Sequence, residues 1–343
     1  MISSHELPAV EHEGWPWTNV ALPEASLDSV TDPSTERASE PVLVVTPSFN
    51  QGQYVEATLR SVILQKTPTT RYVVVDGGST DETQAILKRY EPWIDELIVE
   101  PDEGQSDAIV KGIGAETRGW FNWINSDDML APGVIQALHR LTAAQCQLAA
   151  FNVEVIGDGP TYPLFNRNLS AENFLLDGDY SFAQPGCWLR LERFHEIGAI
   201  DQTLQYGFDW DLMIRYLAAR PTIKTHVELG ATFRVHEASK TATEGRKSRE
   251  ANAFELENQR ICRKLENVLP EPLAKLCETG RQRRVWRQRV AEIMDDESLS
   301  PHAAIGELFR GAFQGPSTRW GRRTWMSALR LLSRYVRPNV HQK

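Results

Sequence analysis

Short apolar runs alternate with stretches of helical spacing from Val42 to Asn125. Val42 to Val45 is a continuous apolar run of strand length, the pattern of a strand covered on both faces, and Pro47 is expected to stop it. Val55, Leu59, Val62 and Ile63 then fall at i, i+4, i+7 and i+8, one face of a helix. "RYVVVDGGSTDETQAILKRY" repeats the scheme: a strand to Val75, a Gly-Gly turn, and a helix opened by Ser79, with Glu82 at the capping-box spacing. Residues 97–100 read as a third strand, "GQSDAIVKGIGAE" as a third helix, and Trp120 to Asn125 as a strand closing the series.

Strands alternating with helices predict a mostly parallel sheet with helices on both faces. Ligands of such sheets bind outside the carboxyl ends of the strands. Those ends carry Pro47 and Asn50, then Asp76, Asp102, and the pair Asp127 and Asp128. In the second half, "QPGCWLRLERFHEIG" predicts a short strand entering a helix. "FDWDLMIRYLAA" predicts a helix with Leu212, Tyr216 and Leu217 on one face and Asp209 at or near its N-cap. "ATFRVHEASKT" predicts a strand ending at His236, and residues 250–343 read as mostly helical and basic. Residues 1–40, rich in Pro, Ser, Glu and Asp, read as an extended arm. Its "GWPW" is the exception, because two tryptophans in a polar arm are expected to dock on the body.

The 41% hydrophobic and 24% charged content place the chain among soluble globular proteins, and its 343 residues can bury a large core. The net charge of -9 argues against general nucleic-acid binding, yet it hides an asymmetry. Residues 261–343 carry 16 Lys and Arg against 8 Asp and Glu, a net +8, so the rest of the chain stands at -17. The four cysteines are scattered, with neither metal-type spacing nor a disulfide framework, which predicts a reduced, cytoplasmic setting. No run approaches the ~20 apolar residues that span a bilayer, and the first residues lack a signal peptide's basic start and apolar run. A chain that neither spans a membrane nor is exported is the expectation.

Neither phosphate-cradling glycine loop is present: no G-x-G-x-x-G follows the first strand, and G-x-x-x-x-G-K-[ST] is absent. A nucleotide at this rim would need acidic residues with a hard divalent cation, Mg²⁺ or Mn²⁺, to handle its phosphates. Asp127 and Asp128 suit that task; they equally suit a solvated turn ahead of a helix starting at Pro132. Asp76 reads as a turn residue or as an acceptor for a nucleobase edge. Asp107 and Lys111 read as an i,i+4 pair or as charges steering a nucleotide. Asp209 and Asp211 suit first-turn capping as well as catalysis, and His236 alone suits a structural role.

Their joint order along the chain is more informative than any one of them. "VVTPSFNQGQYVEATLRSVILQ", "YVVVDGGSTDET", "EPDEGQSDAIVKG", "WINSDDML", "QPGCW", "GFDWDLMIRY" and "FRVHEASKT" together resemble the family 2 glycosyltransferases over roughly residues 41–245. The wording, "GWPW" arm included, is that of bacterial members that build surface polysaccharides (O-antigen, capsule or exopolysaccharide). The resemblance implies the GT-A fold: a central, mostly parallel sheet with helices on both faces. It divides the chain into an arm (1–40), a catalytic domain (41–245) and a basic helical C-terminal region (246–343). The domain comprises a nucleotide-binding half (41–130) and an acceptor half (131–245).

By resemblance, Pro47, Asn50, Asp76, Gln105, Asp107, Lys111 and Asn125 line the nucleotide pocket. Asp127 meets the ribose or donor sugar, Asp128 holds Mn²⁺ or Mg²⁺, and His236 matches a position that in some members also reaches the metal or diphosphate. Asp209 matches the catalytic base. Members commonly carry an acidic residue just before that base, where this chain has Phe208, so Asp211 is the candidate to share its burden. The family is inverting and uses UDP-, GDP- or dTDP-sugars; the acceptor would be a glycan or lipid-linked glycan. In the tail, Trp325, Leu329, Leu332 and Val336, flanked by arginines, predict an amphipathic helix. It could lie on an anionic membrane surface at the inner face, or pack on the domain or a second subunit. Two other classes stand beside the transferase. One is a non-catalytic sugar-nucleotide or glycan-binding module on the same fold. The other is a nucleotidyltransferase, disfavoured because "TPSFNQGQ" has no lysine or arginine.

Overall fold

The computed structural model describes residues 2–18, 40–141, 146–176, 181–237, 239, 249–296 and 298–313. The tail helix expected beyond residue 316 therefore lies outside the described residues, as do residues 19–39 of the arm. The chain divides into two units, Met1–Ser170 with Tyr180–Phe254, and Ala171–Asp179 with Glu255–Lys343.

The first unit is built on one mixed sheet. Its opening series runs β1 (Val42–Ser48), α1 (Val55–Ile63), β2 (Thr70–Asp76), α2 (Thr83–Tyr90), β3 (Glu96–Val99), α3 (Gln105–Ile113) and β4 (Trp120–Trp123). These four strands lie parallel in the order β3-β2-β1-β4, as the alternation requires. Even positions of β1 and β2 (Val42, Val44, Tyr72, Val74) pack with Leu59 and Val62 of α1 and Leu87 of α2. Odd positions face α3, and so closely that a Cβ on Gly112 would stand 2.4 Å from Val45 Cγ1. Helices thus cover both faces.

Two local expectations are corrected. Pro47 does not stop β1; it lies inside the strand, in register with Val75. The Val45 carbonyl accepts from Ile124 on the β4 side, and the Ser48 carbonyl accepts from Gly77 on the β2 side. By alternation Pro47 faces the β4 side, and β4 has already ended at Trp123, so the missing N–H costs no ladder bond. Ser79 does not cap α2 either. The helix begins four residues later, at Thr83, and Ser79 serves the β2–α2 turn instead.

The second half of the sheet departs from simple alternation. β5 (Met129–Leu130), α4 (Val134–Leu138), β6 (Leu148–Gly157), β7 (Tyr162–Leu164), β8 (Cys187–Arg190), α6 (Leu191–Glu196), α7 (Phe208–Ala218) and β9 (Ile223–Val235) follow, with α5 (Ala171–Leu176) of the second unit between β7 and β8. β8 enters antiparallel between β4 and β6, β9 runs parallel to β6, and β5 closes antiparallel on β9. The arm docks as expected: Trp15 and Ile2 pack on the core of this unit, and Trp15 Nε1 donates to the Leu130 carbonyl at 2.8 Å.

The second unit joins α5 to α8 (Arg249–Glu266, entering it at Glu255), α9 (Glu271–Asp295) and α10 (Pro301–Phe313). A Cβ on Gly280 would stand 2.0 Å from the Leu175 carbonyl oxygen, so glycine is what lets α9 lie this close to α5. Val290 and Ile293 of α9 pack with Ala304 and Leu308 of α10. Among the described residues no helix is long and apolar enough to cross a membrane.

Candidate active site

A cleft of about 680 Å³, within the usual range for small-molecule sites, opens at the carboxyl ends of β1 and β4. Its walls come from both halves of the first unit. Pro47, Ser48 and Phe49 arrive from β1 and the residue after it, Gln105 from the start of α3, and Asn125, Ser126 and Asp127 from the end of β4. Gln184 and Pro185, Phe208 and Asp209, and Arg234 add polar and aromatic wall together with Tyr162 of β7.

Four sequence candidates meet in this cleft with Asp209: Pro47, Gln105, Asn125 and Asp127. Gln105 Nε2 donates to Asn125 Oδ1 at 2.6 Å, and Asn125 Nδ2 donates to Asp128 Oδ2 at 3.3 Å. Asp128 itself is fully buried and is not part of the lining. Its other oxygen accepts the Arg234 backbone N–H at 2.8 Å. Burial, and next the neighbouring Asp127 carboxylate, push Asp128 well above the usual carboxylate range. Asp127 does reach the cleft, and its Oδ2 lies 3.0 Å from His236 Nε2. His236 rests against the Tyr54 ring, 4.8 Å between centroids.

The other candidates sit behind or beside the rim. Asp76 is fully buried, its oxygens taking the Gly78 and Ser79 N–H groups at 3.2 and 2.9 Å and the Ser79 hydroxyl at 2.5 Å. Ser79 Oγ in turn accepts the Asn50 N–H at 2.8 Å, and Asn50 Oδ1 accepts the Thr80 N–H at 2.8 Å. Asn50 holds a left-handed φ of 51°, which asparagine tolerates better than most residues. Asp76 and Asn50 therefore stitch two loops together beneath the rim. Asp107 and Lys111 form the i,i+4 pair at 3.1 Å, and Lys111 also reaches Glu100 at 3.0 Å. Hydrogen bonds from Lys111 to Glu100 and then Asp107 raise its pKa; neither Asp107 nor Lys111 lines the cleft.

Asp211 does not join Asp209 in the cleft. It is fully buried, points away from the lining, and takes Arg215 Nε and Nη2 at 2.9 and 2.6 Å. Arg215 continues to the carbonyls of Ile197 and Ala199, both at 2.7 Å, so this pair locks α7 to the loop after α6. Asp211→Asn is expected to destabilise the fold by about 3 kcal/mol, because it leaves a buried guanidinium without its countercharge. Thermal melting checks it: a Tm equal to the wild type's would remove the structural role.

Arg234 and Gln184 are lining residues that escaped the sequence reading, whereas Asp102 and Phe208 were named in it. Arg234 is the one cation in the lining among the described residues. Its Nε donates to the Asp127 carbonyl at 3.0 Å, and its guanidinium carbon lies 4.9 Å over the Tyr54 ring. The signal was there: two adjacent aspartates demand a cation, and Arg234 stands two residues before His236. Gln184 Nε2 donates to Asn122 Oδ1 and the Trp123 carbonyl, at 2.8 and 3.0 Å, which clamps its turn to β4. Asp102, at a predicted strand end, lines the cleft beside Gly77; burial first of all raises its pKa. Phe208 packs on Trp123, 5.9 Å between centroids, where the resemblance expects a carboxylate.

Residues 43–198 match the family described as Glycosyl transferase family 2. The matched span runs from β1 to just past α6, somewhat under half of the chain. Among curated relatives it is 24% identical over 215 residues to the succinoglycan biosynthesis protein ExoO of Rhizobium meliloti, covering 58% of this chain and 62% of that protein. The chain spans somewhat less than two thirds of the length of the curated relatives it matches. Its fold is that of TarS from S. aureus, solved with UDP-GlcNAc, at a TM-score of 0.60 and 14% identity over 79% of this chain and 80% of that one. It also matches the mannosyltransferase PcManGT of Pyrobaculum calidifontis, solved with GDP-Man and Mn²⁺, at a TM-score of 0.50 and 16% identity over 90% and 89% of the two chains. These likenesses make the sheet and its flanking helices a GT-A fold. The cleft lies where open α/β sheets take their ligands, at the carboxyl ends of parallel strands.

Proposed function

We propose that this chain is an inverting glycosyltransferase, moving a sugar from a nucleotide-diphosphate donor to an acceptor hydroxyl during assembly of a surface polysaccharide. The observation that carries the reading is a single cleft that holds Asn125, Asp127 and Arg234 at the strand ends and Asp209 at the start of α7. ExoO, named for succinoglycan biosynthesis, supports the polysaccharide assignment, and the nucleotide-sugar complexes of the two solved relatives support the donor class.

In this reading the acceptor oxygen attacks C1 of the donor sugar on the face opposite the nucleotide. Its proton passes to the Asp209 carboxylate, and the C1–O bond to the diphosphate breaks with its electron pair going to the diphosphate. Asp209 lies in the first turn of α7, where a carboxylate is favoured by the unpaired N–H groups. Arg234 supplies fixed positive charge at the same cleft.

The residues present also fit a divalent cation, provided it arrives with the diphosphate. Asp127 Oδ2 and His236 Nε2 converge within 3.0 Å, whereas Asp128 has both oxygens engaged and no exposure. Among the described residues no third His, Cys, Asp or Glu completes a cluster, so diphosphate oxygens and water would fill the remaining positions. We therefore place the cation at Asp127 and His236 rather than at Asp128; it would offset charge on the leaving diphosphate. The Mn²⁺ bound to PcManGT supports this use.

Calorimetric titration of UDP, GDP and dTDP, each with Mn²⁺ and with EDTA, tests the reading. Tighter binding of one nucleotide in Mn²⁺ is expected and identifies the donor class. If none of the three binds under either condition, the transferase reading fails.

A further inference from the structure

Arg60 lies in α1 with 1% of its surface exposed, a place where a guanidinium is costly unless fully partnered. Its partners come from far upstream. Nη1 donates to the Pro8 carbonyl at 3.0 Å, Nε to Pro16 at 3.2 Å and Nη2 to Trp17 at 2.9 Å. The Tyr90 hydroxyl takes a fourth bond at 2.9 Å, and the Trp17 ring centroid lies 5.7 Å from the guanidinium carbon. Three of the four acceptors are backbone carbonyls of the arm, so the buried charge of Arg60 is satisfied only when the arm is folded against it.

The same arm touches the acidic segment. Trp15 Nε1 donates to the carbonyl of Leu130, two residues beyond Asp128. α1 grips that segment from its own side. Thr58 Oγ1 donates to the Asp128 carbonyl at 2.6 Å, Ser61 Oγ accepts the Leu130 N–H at 3.0 Å, and Gln65 Nε2 donates to the Ala131 carbonyl at 3.1 Å. Thr58, Ser61 and Gln65 stand at i, i+3 and i+7, one stripe of the helix. β5 itself is only two residues long and among the described residues pairs only with β9, too little ladder to fix the segment without this clamp.

We propose that residues 2–18 are a positioning arm for the acidic segment: seated on Arg60, the arm holds Leu130 through Trp15 and so sets where Asp127 enters the cleft. Among the described residues no arm residue lines the cleft, so Trp15 and Arg60 are positioning residues. The functional half of this proposal rests on Asp127 acting at the leaving diphosphate.

Trp15→Phe keeps a smaller aromatic ring and removes the donor; Arg60→Gln loosens the seat. Hydrogen exchange at Asp128, Leu130 and Ala131 is expected to quicken about 10-fold in Trp15→Phe, the size of one hydrogen bond, with the β1 amides unchanged. The ratio of nucleotide affinity in Mn²⁺ to that in EDTA should fall about as much, because that ratio reads the position of Asp127 rather than overall stability. Unchanged exchange in Trp15→Phe would overturn the arm's hold on the segment. Faster exchange with an unchanged ratio would overturn its bearing on the site. Should wild type bind no nucleotide, the transferase reading falls, and exchange still decides whether the arm holds the segment. If Arg60→Gln fails to fold, Trp15→Phe carries the test alone.

Discussion

Asp209→Asn is expected to lower sugar transfer by about 10³-fold, the middle of the range for losing a general base, while nucleotide affinity changes little. The amide has nearly the shape of the carboxylate and can still accept the Trp210 N–H that Asp209 Oδ1 takes at 2.7 Å, so α7 should start as before. What it cannot do is take the acceptor's proton. Asp211 offers no relief, being buried against Arg215. The measurement is a pair: turnover of a labelled donor, and calorimetric nucleotide binding on the same preparation. A variant that keeps most of its turnover removes Asp209 from the role. A wild type that binds nucleotide tightly but transfers nothing to a broad acceptor panel would point to a binding module, with Phe208 marking the loss.

The second large effect separates two adjacent aspartates. Asp127→Asn is expected to abolish the Mn²⁺-dependent part of nucleotide binding, since it removes the one carboxylate of the pair that lines the cleft and faces His236. Asp128→Asn is expected to leave that part within about 3-fold. The buried side chain mainly accepts hydrogen bonds from the Arg234 N–H and the Asn125 amide, and an amide oxygen can replace one such acceptor at a cost of about 1 kcal/mol. The opposite pattern, with metal dependence lost only in Asp128→Asn, would return the cation to Asp128 and refute the placement drawn from burial.

Much of the architecture from β1 to β4 was legible because its determinants are local. The apolar runs of β1, β2 and β4 and the helical stripes of α1 and α3 each lie within about ten residues, and alternation of strand and helix leaves little choice but a parallel sheet. Pro47 shows the limit of that reading. A proline's cost depends on whether its missing N–H had a partner, and that depends on where β4 ends, many residues away. Ser79 fails for the same reason: its spacing to Glu82 suits a cap, yet Asp76 and Asn50 compete for its hydroxyl and backbone across the turn.

The sequence by itself determined the alternation from β1 to β4, the rim of strand ends and the residue types that gather there, since periodicity and turn chemistry are properties of neighbouring positions. The tertiary structure decided which of those side chains reach the cleft. Asp127 and Asp128 are adjacent in the chain and opposite in fate, because β9 comes alongside and offers its Arg234 N–H to one of them while His236 meets the other. Asp209 and Asp211 divide in the same way once Arg215 claims the second. Asp211 and Arg215 are an i,i+4 pair within one helix, but burial is a sum over contacts between distant segments, and no local pattern encodes it.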